Sequence, residues 1–258
     1  MHWDVESGTV GGDIGGIDCI IHLAGEPITP PWTCAKRKGV YESRVTATDK
    51  LCGFLVGLRS PPQLLCASAT GFYGSRGEDA LSEASPAGRG YLAEVCRAWE
   101  AATAVLAARA RVVNLRFGMV LDAHGGALPR ILLPYRLCMG GKLGDGRQWW
   151  SWITLEDAAR AIVHIVNQPD LAGPVNIVTP QPVRNAEFSK TLSRVLHRPA
   201  LLSLPRPIVR LAFGELADEL FLASLRVQPE RLTQAGFSFQ HPSLSQAIAQ
   251  MLGDRRCR

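Results

Sequence analysis

Short apolar runs alternate with longer stretches of helical periodicity along most of this chain, and that alternation admits few folds. Asp18-Cys19-Ile20-Ile21-His22-Leu23-Ala24-Gly25 is a brief apolar run stopped by glycine, the pattern of a strand buried in a parallel sheet. Over 33–58, Val40, Tyr41, Val45, Thr48, Leu51, Cys52 and Leu55 recur at helical spacing, and Ser60-Pro61-Pro62 ends the helix they predict. The cycle then repeats. Gln63-Leu64-Leu65-Cys66-Ala67-Ser68 predicts a second strand, and a polar loop follows over 74–89. Leu92, Val95, Cys96, Trp99, Thr103 and Leu106 predict a helix over 90–108, and the run from Arg111 to Phe117 a third strand. A helix at 127–137 and a short strand from Trp149 to Ile153 come next. Thr154 then caps a helix, with Asp157 where a capping box usually has Glu. A strand from Val175 to Val178 and a helix over 185–197 complete the alternation. Strands separated by helices require a parallel sheet with right-handed crossovers, so the expected class is α/β with a doubly wound sheet.

Beyond about residue 200 the character changes. Leu201-Leu202-Ser203-Leu204 predicts a short strand, Pro207 starts a helix, and Ser243 with Gln246 forms a capping box. The expected division is therefore a domain over 1–198 and a small, mostly helical region over 199–258.

Composition narrows the function classes. The 258 residues, 47% hydrophobic and 20% charged, suffice for a large core. No apolar stretch is long enough to span a bilayer, and Met1-His2-Trp3-Asp4-Val5-Glu6 has neither the basic nor the apolar part of a secretory signal. The net charge of +5 is scattered, with its densest cluster at Lys36-Arg37-Lys38. That is too sparse for a nucleic-acid face. Neither a nucleic acid nor a membrane is expected as a partner. The seven cysteines, at 19, 34, 52, 66, 96, 138 and 257, form no C-x-x-C, and no His or Cys pair has metal-ligand spacing. A reduced, cytoplasmic chain with no metal site is the expectation.

A doubly wound sheet grips a dinucleotide's pyrophosphate at a glycine-rich strand-to-helix turn, where backbone N–H groups approach the ligand. Residues 11–16 read Gly-Gly-Asp-Ile-Gly-Gly, but they lie before a strand with none ahead of them. They fail the strand-turn-helix test and read as a flexible lead-in, and Gly125-Gly126 and Gly140-Gly141 fail it too.

Five motifs occur in a telling order: His22-Leu23-Ala24-Gly25-Glu26-Pro27, Ser68-Ala69-Thr70-Gly71-Phe72-Tyr73-Gly74, Leu115-Arg116-Phe117-Gly118-Met119-Val120-Leu121, Gly141-Lys142-Leu143-Gly144-Asp145-Gly146-Arg147-Gln148 and Trp152-Ile153-Thr154-Leu155-Glu156-Asp157. In this order they resemble the extended short-chain dehydrogenases/reductases, and more narrowly the atypical branch called epimerase family proteins. Pro199, Gly214-Glu215, Pro229, Arg231-Leu232 and Ala235-Gly236-Phe237 resemble that branch's C-terminal domain of unknown function. The resemblance implies a Rossmann-like fold, NADP as cofactor and a small-molecule substrate that is not established.

The resembled family opens with a strand, the glycine-rich turn, a helix and a second strand. This chain begins near the family's Trp-Asp, here Trp3-Asp4, so roughly forty residues of a complete fold are expected to be absent. The run at 18–23 then becomes an open apolar edge, a pairing hazard. Poor solubility, a homodimer across that edge, or a truncated, inactive product are the expected consequences.

The resemblance also assigns roles. Ser68 corresponds to the residue that hydrogen-bonds substrate as a proton moves; the plainer reading is a serine bonding local backbone at a strand end. Tyr91 is the available phenol for proton transfer; the plainer reading is an aromatic at a helix start. The family's lysine, four residues on, is Val95 here, and a register set by Glu100 instead places Leu92 and Cys96 at the two positions. Without a nearby cation a tyrosine is a poor base at neutral pH. Leu23 and Ala24 correspond to the loop under the cofactor, Arg44 to a position suited to a phosphate or ribose, and Val120 to a segment beside the nicotinamide. Arg44 as a solvent-facing helix residue remains the alternative. Arg147, Trp149 and Trp152 either line the substrate cleft or build core. The functional expectation is an NADP-dependent oxidoreductase or epimerase-like enzyme, impaired by loss of the turn. Its alternatives are a non-catalytic nucleotide sensor or scaffold, or an inactive truncated product.

Overall fold

A computed structural model describes residues 2–4, 9–11 and 14–253. Cys257 and two residues of the glycine-rich stretch, Gly12 and Asp13, lie outside the described residues. The chain opens on an antiparallel pair, β1 (His2–Asp4) and β2 (Thr9–Gly11), which the sequence reading did not anticipate. Then β3 (Cys19–His22) enters the main sheet. The helix expected over 33–58 is α1 (Cys34–Tyr41), a π-helical turn Glu42–Thr46 and α2 (Ala47–Val56). Thr33 caps α1 by accepting from the Lys36 N–H at 3.2 Å.

The second unit is β4 (Gln63–Ala69), then β5 (Ala80–Leu81) inside the polar loop, then α3 (Tyr91–Ala102) and α4 (Ala104–Ala107). The helix expected over 90–108 breaks at Thr103. Its hydroxyl donates back to the Glu100 carbonyl at 2.7 Å, the local competition that interrupts helices. Next come β6 (Val112–Phe117), β7 (Met119–Leu121) and α5 (Leu128–Arg136). The single strand expected from Trp149 to Ile153 splits at Ser151. There β8 (Trp149–Trp150) pairs antiparallel with β11 (Val183–Arg184), while β9 (Trp152–Thr154) pairs parallel with β7. Helix α6 (Leu155–Val166) is capped by Thr154, which accepts from the Asp157 N–H at 3.1 Å. The chain ends with β10 (Gly173–Ile177), α7 (Asn185–Leu196), α8 (Arg206–Phe213), β12 (Arg226–Val227), α9 (Glu230–Gln234) and α10 (Leu244–Gly253).

The main sheet has four parallel strands in the order β10-β6-β4-β3. Its strands are apolar on both faces because both faces are covered. Leu65, Val113, Leu115, Val175 and Ile177 meet Ala158, Ala161, Ile162 and Ile165 of α6 on one side. Ile20, Leu64, Cys66 and Val112 meet Leu51, Cys52 and Leu55 of α2 and Trp99 of α3 on the other. Among the described strands β3 pairs only with β4 and forms the sheet's edge. Ile21, opposite Leu65 in the register, is 45% exposed where Leu65 is fully buried.

The tail wraps back over this body. Leu232 and Phe237 join the core under α6, α10 packs on Phe188 and Leu192 of α7, and β12 pairs with β5. No strand forms at Leu201-Leu202-Ser203-Leu204, contrary to the sequence expectation. Only an isolated bridge joins Leu143 to Leu204. With Leu201 at 84% exposure, the apolar run there has no sheet face to bury it. Among the described residues no helix is long and apolar enough to cross a membrane.

Candidate active site at the carboxyl ends of the strands

Open α/β sheets bind ligands beyond the carboxyl ends of their strands. At that end β3 runs into an exposed ledge, Leu23-Ala24-Gly25. The ledge is held from α1 and the π turn. Ser43 Oγ accepts from the Glu26 N–H at 3.0 Å, Lys36 pairs with the Glu26 carboxylate at 2.5 Å, and Arg44 Nη1 donates to the Glu26 carbonyl at 2.9 Å. A Cβ on Gly25 would come 3.2 Å from the Arg44 Cζ, so the guanidinium lies flat against a backbone that only glycine leaves open. The π turn adds a residue to the helix and sets Ser43 and Arg44 toward the ledge, a recurrent use of such turns at functional sites. Leu23, Ala24 and Arg44 are thus brought together. Burial lowers the Arg44 pKa, while Cys96, Glu26 and Tyr91 oppose that shift.

His22 ends β3 just before the ledge. It is buried, its Nε2 has no hydrogen-bond partner among the described residues, and desolvation lowers its pKa. A neutral imidazole with an unsatisfied nitrogen at this point is costly unless something meets it.

Tyr91 stands at the first turn of α3, close enough to Arg44 for their charges to interact. Its hydroxyl donates to the Arg37 carbonyl at 2.6 Å, its ring meets Trp32 edge-on at 5.8 Å, and the Arg37 guanidinium lies 4.5 Å from the ring centre. Burial raises the phenol's pKa, and Arg37 and Arg44 only partly offset this. Val95, in the lysine's place, is buried, as are Leu92 and Cys96 of the alternative register; burial pushes the Cys96 thiol up to about 12. The α3 N-terminus is capped from the tail: the Glu219 carboxylate accepts from the N–H groups of Tyr91 at 2.9 Å and Leu92 at 2.6 Å.

Ser68 is buried at the end of β4 and donates to Glu100 Oε1 at 2.7 Å. Arg116 of β6 grips the same carboxylate through Nε and Nη2, both at 2.8 Å. The guanidinium stacks 3.6 Å from the Phe72 ring centre and donates to the Tyr73 hydroxyl at 2.9 Å. Tyr73 in turn donates to Asn176 Oδ1 at 2.7 Å, and the Asn176 N–H donates to Glu83 Oε1 at 3.0 Å. The structure therefore does not turn the Ser68 and Tyr91 hydroxyls to a common acceptor. Sequence reasoning missed Glu100, Arg116, Tyr73, Asn176 and Glu83 as a network. A signal existed: Asn114 and Arg116 interrupt an otherwise apolar strand, and a buried charge demands a partner.

Val120 sits in β7, half-buried opposite Ile153 of β9, in a two-stranded sheet separate from the one that carries the ledge. Trp152 is fully buried, its Nε1 donating to the Gln181 carbonyl at 3.0 Å, so it builds core and lines no cleft. Trp149 is half-buried, with the guanidinium groups of Arg184 and Arg226 at 4.3 and 5.1 Å from its ring centre. Among the described residues no three His, Cys, Asp or Glu side chains cluster as metal ligands.

The chain matches a family described as NAD dependent epimerase/dehydratase over residues 11–178 and a domain of unknown function over residues 204–251. An epimerase family protein of Mycobacterium bovis is 40% identical over 251 residues, 96% of this chain and 83% of that protein. A Bacillus subtilis epimerase family protein is 34% identical over 259 residues, 99% of this chain and 85% of its own length. The crystal structure of a human epimerase family protein with NADPH superposes with a TM-score of 0.89 at 30% identity, covering 96% of this chain and 85% of that one. A protein solved with UDP-glucuronic acid and NAD superposes with a TM-score of 0.74 at 20% identity, over 94% of this chain and 80% of that one, a likeness of fold alone.

Proposed function

This chain belongs to the NAD dependent epimerase/dehydratase family, and from that premise we propose that it is an NADP-dependent oxidoreductase of epimerase-like chemistry acting on a small molecule beyond the carboxyl ends of β3, β4 and β6. One observation carries the reading: the ledge of Leu23 and Ala24, clamped by Arg44 beside Tyr91, with the unpaired His22 Nε2 behind it. The NADPH bound by the human relative favours the phosphorylated cofactor.

The residues present fit the cofactor in part. Exposed backbone at the ledge and an unsatisfied ring nitrogen suit a polar, planar group, and Val120 would flank it from β7. At the other end the fit is poor. Among the described residues the Gly15-Gly16 end of the glycine-rich stretch runs through a turn into β3, not into a helix. When bound, the cofactor supplies a site that takes or gives a hydride. Tyr91, a neutral phenol, is the proton donor and must release the Arg37 carbonyl to act. Ser68 gives its proton to Glu100, so its oxygen can only accept, which suits a substrate hydroxyl. The six described cysteines are free thiols, in keeping with a cytoplasmic setting, and the exposed β3 edge suits a homodimer.

A second reading is favoured by Val95, buried in the lysine's place, and by two hydroxyls already donating to protein acceptors. On it, the chain binds the nucleotide without turnover, as a sensor or scaffold. Calorimetric titration with NADPH and NADH, followed by turnover assays, decides. Saturable NADPH binding weakened by Arg44→Ala supports the proposal. Binding of NADH alone, or of neither, overturns it, and NADPH binding with no turnover that Tyr91→Phe affects selects the second reading.

A further inference from the structure

Large apolar side chains lie in the open where α5 meets the chain entering α8. Leu133 on α5 is 59% exposed and Leu137, just after its end, 58%; Met139 is 53% exposed, Leu201 84%, Leu202 52% and Leu211 89%. Backbone pairing lays the stretch after α5 beside the stretch before α8. The last turn of α5 leads through Met139 into 140–143, where Leu202 N–H donates to the Gly140 carbonyl at 3.3 Å and Leu204 N–H to the Lys142 carbonyl at 3.0 Å. Pro205 precedes α8, which carries Leu211 two residues from its end. Six exposed large apolar side chains in two adjoining stretches are more than the single, scattered ones a surface ordinarily carries.

The charge around it is one-sided. Residues 128–142 carry Arg130, Arg136 and Lys142, residues 197–211 carry Arg198, Arg206 and Arg210, and neither stretch contains an Asp or Glu. Arg206 and Arg210 pair with Asp145 and Asp218 from neighbouring segments. Arg130, Arg136, Lys142 and Arg198 are exposed and make no ion pair among the described residues.

We propose that this face docks on an anionic phospholipid surface, its leucines entering the headgroup boundary while the four free cations meet the lipid phosphates. Apolar side chains ringed by Lys and Arg are the composition of interfacial binding. A second copy of the chain fits worse, because facing copies would set cations against cations. Such docking reverses the expectation of no membrane partner. Average composition carries no sign of it, and only the fold lays 140–142 beside 202–204. The inference is independent of the cofactor reading.

Sedimentation with phosphatidylcholine vesicles, with and without phosphatidylserine, is the test. The intact chain should pellet with phosphatidylserine vesicles, remain in solution with neutral ones, and release as salt rises. Arg130→Gln and Arg136→Gln should each weaken binding about fivefold, the worth of one interfacial cation. The double variant Leu201→Ser, Leu211→Ser should abolish it while the melting temperature and circular dichroism stay as in the intact chain. Failure to pellet, pelleting that ignores phosphatidylserine, or pelleting that both sets of variants leave unchanged overturns the proposal. So does a dimer in light scattering that Leu211→Ser dissolves without any vesicle binding.

Discussion

At the inner strands the polar groups of the sheet's carboxyl end are buried and matched: Ser68 and Arg116 share the two oxygens of Glu100. At the edge strand the ledge is open to solvent and the His22 Nε2 is buried without a partner. The Ser68–Glu100–Arg116 clasp is thus finished and the edge unfinished, while the network that continues through Tyr73 and Asn176 ends on Glu83, whose buried Oε2 is also without a partner among the described residues. Finished networks report on stability, because each member is needed to satisfy the others. Unfinished ones report on binding, because an unmatched buried group is costly until a ligand meets it.

The sharpest way to break this comparison is to remove one partner of the finished network. Arg116→Met leaves the Glu100 carboxylate buried and uncompensated, and should cost about 3–5 kcal/mol in urea unfolding. The double variant Arg116→Met, Glu100→Leu should recover most of that loss. Losses that simply add would show that the pair is not coupled.

Ile21 and Leu65 allow a like-for-like test within one register pair. Leu65→Ala empties a closed core site and should cost about 2–5 kcal/mol. Ile21→Ala removes a half-exposed side chain and should cost less than about 1 kcal/mol. Equal costs in equilibrium unfolding would mean that the edge is covered in solution.

His22 makes the pH dependence of the ledge visible. Its folded pKa lies below the unfolded value of 6.5, so below that pH the unfolded chain takes up the proton first. Stability should therefore fall as pH drops through 6.5, by at most about 1.4 kcal/mol per pH unit from this one group. His22→Gln should flatten the slope in thermal melts at pH 5 to 7. An unchanged slope would place the titration elsewhere.

A comparably small effect concerns the tail. Glu219→Ala removes the carboxylate that caps α3 and should cost about 1 kcal/mol. Amide exchange at Tyr91 and Leu92 should quicken; protection that persists would argue that another group caps the helix.

Much of the fold was legible because hydrophobic periodicity is a local property. The runs at 18–23, 63–68 and 111–117 are strands of one parallel sheet, and Thr154 caps α6 as its spacing implies. The break at Thr103, the split at Ser151 and the absent strand at Leu201 were not legible, because each depends on what lies opposite in space. The ledge residues Leu23, Ala24 and Arg44 were legible through the family resemblance, and the structure brings them together. The Glu100–Arg116 clasp was not, since its partners come from a helix and a strand that only packing joins.

By itself, then, the sequence determined the class of fold, the succession of the main sheet's strands and covering helices, and the family, all of which follow from patterns read along the chain. Tertiary structure alone decided which polar groups are satisfied and which leucines face outward. Those depend on the neighbours each side chain meets, and neighbours distant in sequence leave no periodic trace in it.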